Sequence, residues 1–319
     1  MKQLVLGIDI GGTNTKFGFV DREGNMFGED RFPTNDEQDF TDYVAEMAHH
    51  VETAKAKLDF EFDLIGAGVG APNGNYLRGT IEYPVNLKWK GVSNFVDIFK
   101  THFDIPVILT NDANAAAMGE MVFGEAKGMK DFIVFTLGTG LGSGIVANGQ
   151  VIYGHDGFAG ELGHTLVNIF GRECGCGRRG CLETYVSATG IKRTVFKLLA
   201  DYLDESELSG IAFDDLTAEM ITKAAIRKDI IAIRAFEYTG RILGLKLADT
   251  ITHFSPEAIF LFGGLVNAGD YLLKPTRQYL DEHMMDIYKK NPPKLLASGL
   301  QSKNAAVLGA SSMVWGSVD

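Results

Sequence analysis

The segment Gly171-Arg172-Glu173-Cys174-Gly175-Cys176-Gly177-Arg178-Arg179-Gly180-Cys181-Leu182-Glu183 holds all three cysteines of a 319-residue chain within eight positions. With His164 ten residues before the first of them, they offer three thiolates and one imidazole, a Cys3His set suited to a closed tetrahedral Zn2+ site. Gly175, Gly177 and Gly180 let such a loop turn tightly around an ion. A redox thiol pair is the alternative, but C-x-C spacing with a third cysteine and an upstream histidine fits a metal better. A closed shell has no position for water, so the ion would be structural and would fix the segment 161–183. Glu161 and Glu183 flank the ligands. Carboxylates so placed can accept hydrogen bonds from ligand hydroxyls, whereas an isolated Glu is by default a solvated surface charge.

Two glycine loops suit phosphate. In Asp9-Ile10-Gly11-Gly12-Thr13-Asn14 the glycines let backbone N–H groups approach an anion, and Asp9 at a strand end can hold Mg2+, through water. Alone, this is equally a tight hairpin with a turn-forming Asp. The second loop, Thr136-Leu137-Gly138-Thr139-Gly140-Leu141-Gly142-Ser143-Gly144, again follows an apolar strand. It lacks the Lys of a Walker A loop and the strand-to-helix setting of a dinucleotide fingerprint. Two such hairpins, one in each half of the chain, fit a nucleoside triphosphate clasped between them.

The elements that must position these groups are legible as patterns. LVLGIDIGG, KFGFVD and MFGEDRF read as three strands of a meander separated by Gly and Asn turns. Phe40, Val44, Met47 and Val51 fall at helical spacing within 36–58, with His49 and His50 on the polar side. LIGAGVGAP (64–72) and IPVILTND (105–112) read as buried parallel strands. From residue 130 the logic repeats: strand, Gly/Thr loop, strand, and an Asn148-Gly149 hairpin turn. Helices are expected over 187–203, 217–227 and 230–253, a strand over 257–264, a helix from 267 and an apolar helix from 304. The echo implies two related α/β halves with a ligand cleft between them, divided as 1–113 plus 304–319 and 114–303. Asp112, between an apolar strand and a small-residue helix, could serve as that helix's N-cap. Trp89 either shapes a ligand mouth or merely packs.

The chain resembles the ROK family (repressors, open reading frames, kinases) of the actin and hexokinase-like, ribonuclease H-like superfamily. The resemblance rests on GIDIGGTNTKFGFVD, GAPN, VNLKW, TNDANAAAMGE, TLGTGLGSG, GELGH, CGCGRRGCLE and LFGG, which span nearly the whole chain. It implies an ATP-dependent hexokinase-type kinase in which Asp112 takes the proton of the sugar 6-hydroxyl as it attacks the γ-phosphoryl. The implied sugar pocket is Asn86, Asn111, Asp112, Glu161, His164 and Glu183. ATP would meet Asp9, Gly11, Gly12, Thr13, Asn14, Thr136, Gly138, Thr139 and Gly140, with Gly263 and Gly264 beside the adenosine. The resemblance also leads us to expect a homodimer. Glucose is the first substrate to expect, with N-acetylmannosamine and N-acetylglucosamine open and fructose weaker.

Charge and composition narrow the classes. A net charge of -11 argues against a nucleic-acid surface. The absence of a long apolar run or a leader-like start leads us to expect a soluble, cytoplasmic chain without a membrane partner. Part of the family represses transcription through a DNA-binding region ahead of the first phosphate loop. Asp9 follows Met1 by eight positions, which leads us to expect no such region and to favour the kinase reading, while Asp112 within its motif speaks against a non-catalytic sugar sensor.

Overall fold

A computed structural model describes residues 1–34, 37–84, 87–203, 205–300 and 305–318. The meander is β1 (Lys2–Ile10), β2 (Asn14–Val20) and β3 (Met26–Pro33). α1 (Phe40–Lys55) follows with Val44, Met47 and Val51 buried, and the Asp39 carboxylate caps it by accepting the Thr41 N–H at 2.8 Å. Next come β4 (Phe62–Gly70), then β5 (Gly74–Asn75), β6 (Thr80–Glu82) and β7 (Val92–Ser93), which form a small sheet of their own, α2 (Phe95–Lys100) and β8 (Val107–Thr110). α3 (Asp112–Phe123) closes the first cycle.

The second cycle opens with β9 (Phe132–Leu137), β10 (Leu141–Ala147) and β11 (Gln150–Val151). Asn148 and Gly149 join the last two with φ of 52° and 77°, the positive values that a two-residue hairpin of this kind requires. Then follow α4 (Ala188–Asp201), α5 (Ala218–Ile226), α6 (Ile230–Phe254), β12 (Ala258–Phe262), α7 (Asp270–His283), α8 (Asp286–Lys289), β13 (Lys294–Ala297) and α9 (Ala305–Val318). Among the described residues no helix is long and apolar enough to cross a membrane.

The internal echo is a real repeat of topology. The two large sheets run β3-β2-β1-β4-β8 and β11-β10-β9-β12-β13. In each, the first strand of a cycle pairs in parallel with the strand that follows a helix (β1 with β4, β9 with β12), and a further parallel strand forms the edge. The edge strand β13, the small sheet and α2 escape sequence reading because each is too short to show a period.

The chain divides into two units, 1–129 with 144–160 and 298–319, and 130–143 with 161–297. This differs from the boundary expected at 113/114. α3 belongs with the first unit because its small-residue face lies against α9. The residues after β10's midpoint return to the first unit as well. Of the two histidines expected on the solvated side of α1, His49 is exposed, but His50 lies flat on Phe32, with ring centroids 4.5 Å apart and planes 4° apart.

Glycines set how closely the first unit's layers approach. Gly7 of β1 and Gly68 of β4 are register partners, and a Cβ on them would lie 2.2 Å from the Val307 carbonyl oxygen and 1.8 Å from that of Ala310. The backbone of α9 therefore rests directly on the sheet. On its other side Gly119 of α3 would meet the Gly309 Cα at 2.9 Å. α9 is buried around its circumference from 307 to 315, which explains its uninterrupted apolar sequence. Gly68→Ala forces a methyl group into backbone and should destabilise the protein by about 1–3 kcal/mol, read as a lower thermal midpoint; an unchanged midpoint would mean that α9 moves freely on the sheet.

Candidate active site

The first glycine loop, predicted to bind phosphate, is a fixed turn between β1 and β2. The Gly11 N–H donates to the Asn14 carbonyl at 3.1 Å, and a Cβ on Gly11 would lie 2.9 Å from that oxygen. The Thr13 carbonyl accepts the Thr34 N–H at 2.9 Å, while Gly12 and Thr13 stay exposed at the tip. Beneath the loop, the Thr15 hydroxyl meets Thr34 Oγ1 at 2.8 Å and Tyr43 Oη at 2.6 Å, all three side chains being buried. This hydroxyl trio ties the loop to β3 and α1. No motif announced it, since it joins residues up to 28 positions apart.

Asp9 and Asp112 belong to the same unit, at the carboxyl-terminal ends of β1 and β8. Ligands of open α/β sheets bind at those ends. Asp9 is half-buried; lost hydration, and then the charge of Asp112, push its pKa up to about 6 against a smaller opposing pull from Lys16, its cross-strand partner. Asp112 is reached by solvent, yet protein crowds its carboxyl and burial pushes its pKa up, opposed by the Ala113 N–H that donates to Oδ1 at 2.9 Å. The cap of α3 is Asn111, whose Oδ1 accepts the Asn114 N–H at 2.7 Å. Asp112 thus occupies the first helical position and its second oxygen is not used in capping. Asn86, the remaining predicted sugar contact of this half, lies outside the described residues. Trp89 packs: its ring is buried against Phe40 and Tyr43, and its Nε1–H donates to the Gln38 carbonyl at 3.1 Å.

The second unit gathers the other predicted groups. In its phosphate loop, the Gly142 N–H donates to Thr136 Oγ1 at 3.1 Å and the Gly138 N–H to the Gly140 carbonyl at 3.1 Å, with Thr139 exposed at the tip. Gly263, at φ 109°, sits against this loop: a Cβ there would be 2.6 Å from the Leu137 carbonyl oxygen. Gly264 is exposed, with open space where a Cβ would be. Glu183 also touches the loop, Oε2 accepting the Leu141 N–H at 3.0 Å.

His164, Cys174, Cys176 and Cys181 converge so that their ligand atoms all lie within 4.8 Å of one another. Cys174 Sγ is 3.6 Å from His164 Nδ1, and Cys176 Sγ is 3.6 Å from Cys181 Sγ. The cysteines are free. A tetrahedral zinc ion with ordinary bond lengths has S–S edges of about 3.8 Å and S–N edges of about 3.6 Å, close to the Cys176–Cys181 and Cys174–His164 separations. Gly180, at φ 76°, would place a Cβ 1.6 Å from the Asn168 carbonyl oxygen, so only glycine closes this loop. The far ring nitrogen of His164, Nε2, faces Glu161 Oε2 at 3.8 Å, the kind of outer carboxylate that orients a metal-bound imidazole. Burial pushes the Cys174 thiol up to about 12, and a bound cation would favour its thiolate.

The ROK family model matches residues 5–316. The chain is 36% identical over 286 residues to a glucokinase of Halalkalibacterium halodurans, covering 88% of this chain and 86% of that protein. It is 29% identical to a xylose repressor of Bacillus spizizenii, over 97% of this chain and 76% of the repressor. Its fold is similar to the crystal structure of a ROK family glucokinase from Streptomyces griseus in complex with glucose and AMPPNP, with a TM-score of 0.81 and 30% identity over 97% of this chain and 98% of that one.

The carboxylate at Asp9 has a consequence for stability. Its folded pKa of about 6 exceeds the ordinary 3.8, so the native state binds more protons than the unfolded chain between those values, and stability falls as pH rises through that window. Without nucleotide or magnesium, Asp9→Asn should raise the thermal midpoint at pH 7 by the equivalent of on the order of 1–3 kcal/mol, with the gain fading by about pH 4. A gain independent of pH would remove burial of the charge as its cause.

Proposed function

The chain belongs to the ROK family, and from that premise we propose that it is an ATP-dependent hexokinase-type kinase that phosphorylates the 6-hydroxyl of glucose. The observation that carries this reading is the pair of carboxylates at the ends of β1 and β8, one at the foot of a phosphate loop and the other at the first turn of α3. In this scheme Asp112 accepts the hydroxyl proton as the sugar oxygen attacks the γ-phosphoryl in line. A raised pKa makes it a stronger base than an ordinary aspartate, while the Ala113 N–H holds the carboxylate in place. The loops at 9–14 and 136–140 would supply N–H and hydroxyl groups to the phosphates, and Gly264, with open space beside its backbone, would receive the adenosine together with Gly263. Asp9 would hold Mg2+, which when bound supplies positive charge to the transferring phosphoryl group. Asn86, Asn111, Glu161, His164 and Glu183 would complete the grip on the sugar hydroxyls.

Zinc would be held by His164, Cys174, Cys176 and Cys181 as a structural ion, consistent with the 3.6 Å spacings and with four protein donors that leave no open position. Reduced thiols suit a cytoplasmic setting, and we carry a homodimer forward as the assembly.

In an ADP-release assay with Mg-ATP, glucose should give the highest kcat/KM among glucose, N-acetylmannosamine, N-acetylglucosamine, mannose and fructose; sugar binding without turnover of any of them would overturn the kinase reading. Asp112→Asn should lower kcat by about 10²–10⁴-fold while leaving glucose binding largely intact, and the acid limb of the wild-type kcat profile should lie above the usual aspartate range. Protein purified without chelator should contain stoichiometric zinc, and its removal should lower the thermal midpoint; a metal-free, equally stable protein would refute the assignment.

A further inference from the structure

Arg172 stands two residues before Cys174, and neither metal ligation nor sugar contact gives it a role. Its guanidinium is half-buried and burial lowers its pKa. Nη1 donates to the Thr184 carbonyl at 2.7 Å and to the Gly190 carbonyl at 2.9 Å, and Nη2 donates to Thr194 Oγ1 at 2.9 Å. The plane of the group lies over the Tyr185 ring, 4.5 Å from its centroid. A charged group held by three neutral acceptors and an aromatic face, with no carboxylate among them, is a clamp on backbone.

What it clamps is the stretch from Glu183 to Gly190, which wraps tightly enough that a Cβ on Gly190 would lie 2.7 Å from the Tyr185 carbonyl carbon. That stretch grips the second phosphate loop at three points. Glu183 Oε2 accepts the Leu141 N–H at 3.0 Å, the Ala188 N–H donates to the Gly138 carbonyl at 2.8 Å, and Thr189 Oγ1 donates to the Thr139 carbonyl at 3.1 Å. The fit is close: a Cβ on Gly140 would lie 2.5 Å from Glu183 Oε2. At its other end the same stretch meets the cysteine loop, where Cys174 Sγ lies 3.6 Å from Glu183 Oε1.

We propose that Arg172 is a positioning residue for the second phosphate loop: it binds the cysteine loop to the 183–190 stretch, which touches that loop at three points, and so it sets the affinity of the protein for the nucleotide more than for the sugar. Every link lies within the second unit. The inference rests on the nucleotide-binding reading of the 136–140 loop, and its effect is read in binding as well as in turnover.

The test uses the full-length, metal-replete protein and the variants Arg172→Met, Arg172→Lys and Thr189→Val. Measured are the dissociation constant for a non-hydrolysable ATP analogue, KM for ATP and for glucose, and zinc content. Arg172→Met should weaken nucleotide binding by about ten-fold or more, with glucose KM changed by a clearly smaller factor and zinc retained. Arg172→Lys should recover part of the loss, because one ammonium cannot reach three acceptors in a fixed fork. Thr189→Val, an exposed site that removes a single loop contact, should weaken nucleotide binding by about three- to five-fold and keeps the proposal testable if Arg172→Met does not fold. Unchanged nucleotide affinity in Thr189→Val and Arg172→Lys, or a rise in glucose KM equal to that for ATP, would overturn it. Failure of the wild-type protein to phosphorylate any sugar would sink the kinase reading while leaving the nucleotide-binding comparison intact.

Discussion

The first unit depends on a contact that only glycine allows. α9 lies with its backbone on β1 and β4 because Gly7 and Gly68 present no Cβ to it, and α3 in turn lies on α9 where Gly119 faces Gly309. Interiors pack to near-crystalline density, so removing one layer of side chains fixes the neighbouring elements to a fraction of an ångström. α3 carries Asp112 at its first position, and β1 carries Asp9 near its end. The separation of the two carboxylates is thereby a property of glycine-mediated packing well away from either of them.

Their electrostatics follow from this placement. Each carboxylate loses hydration, and Asp9 in addition feels the charge of Asp112. Under the proposed function these are the carboxylates that would receive a divalent cation and a hydroxyl proton, and shifted carboxylates of this kind gather where such chemistry is done. The buried hydroxyl trio of Thr15, Thr34 and Tyr43 keeps the neighbouring loop from relaxing away.

In the second unit the order runs through the cysteine loop. His164 and the three cysteines converge within 4.8 Å of one another, Glu161 stands behind the imidazole, and Glu183 leans from Cys174 toward the second glycine loop. A loop this rich in glycine has little intrinsic preference for one shape. The Arg172 hydrogen bonds tie the loop to its neighbours, and a metal bound as proposed would add a crosslink that its own backbone lacks.

Local physics made much of this legible in the chain. The cysteine loop, both glycine loops, the Asn148-Gly149 hairpin and the α1 period are short-range patterns, and each appears where the residues place it. The repeat of strand, loop and strand likewise announced two related sheets. Tertiary structure decided what depends on residues distant in sequence. Helix α3 went to the first unit because α9, nearly 200 positions on, covers it; Trp89 became a packing residue because Phe40 and Tyr43 meet it; His50 found Phe32. Asn111, not Asp112, capped α3, and Asp112 took the first helical position. Arg172 sat in plain view within the cysteine motif, but its partners at 184, 190 and 194 come together only when the loop closes. Periodicity and turn chemistry act over a few residues and can be read along the chain, whereas contact across tens or hundreds of residues exists only once the layers pack.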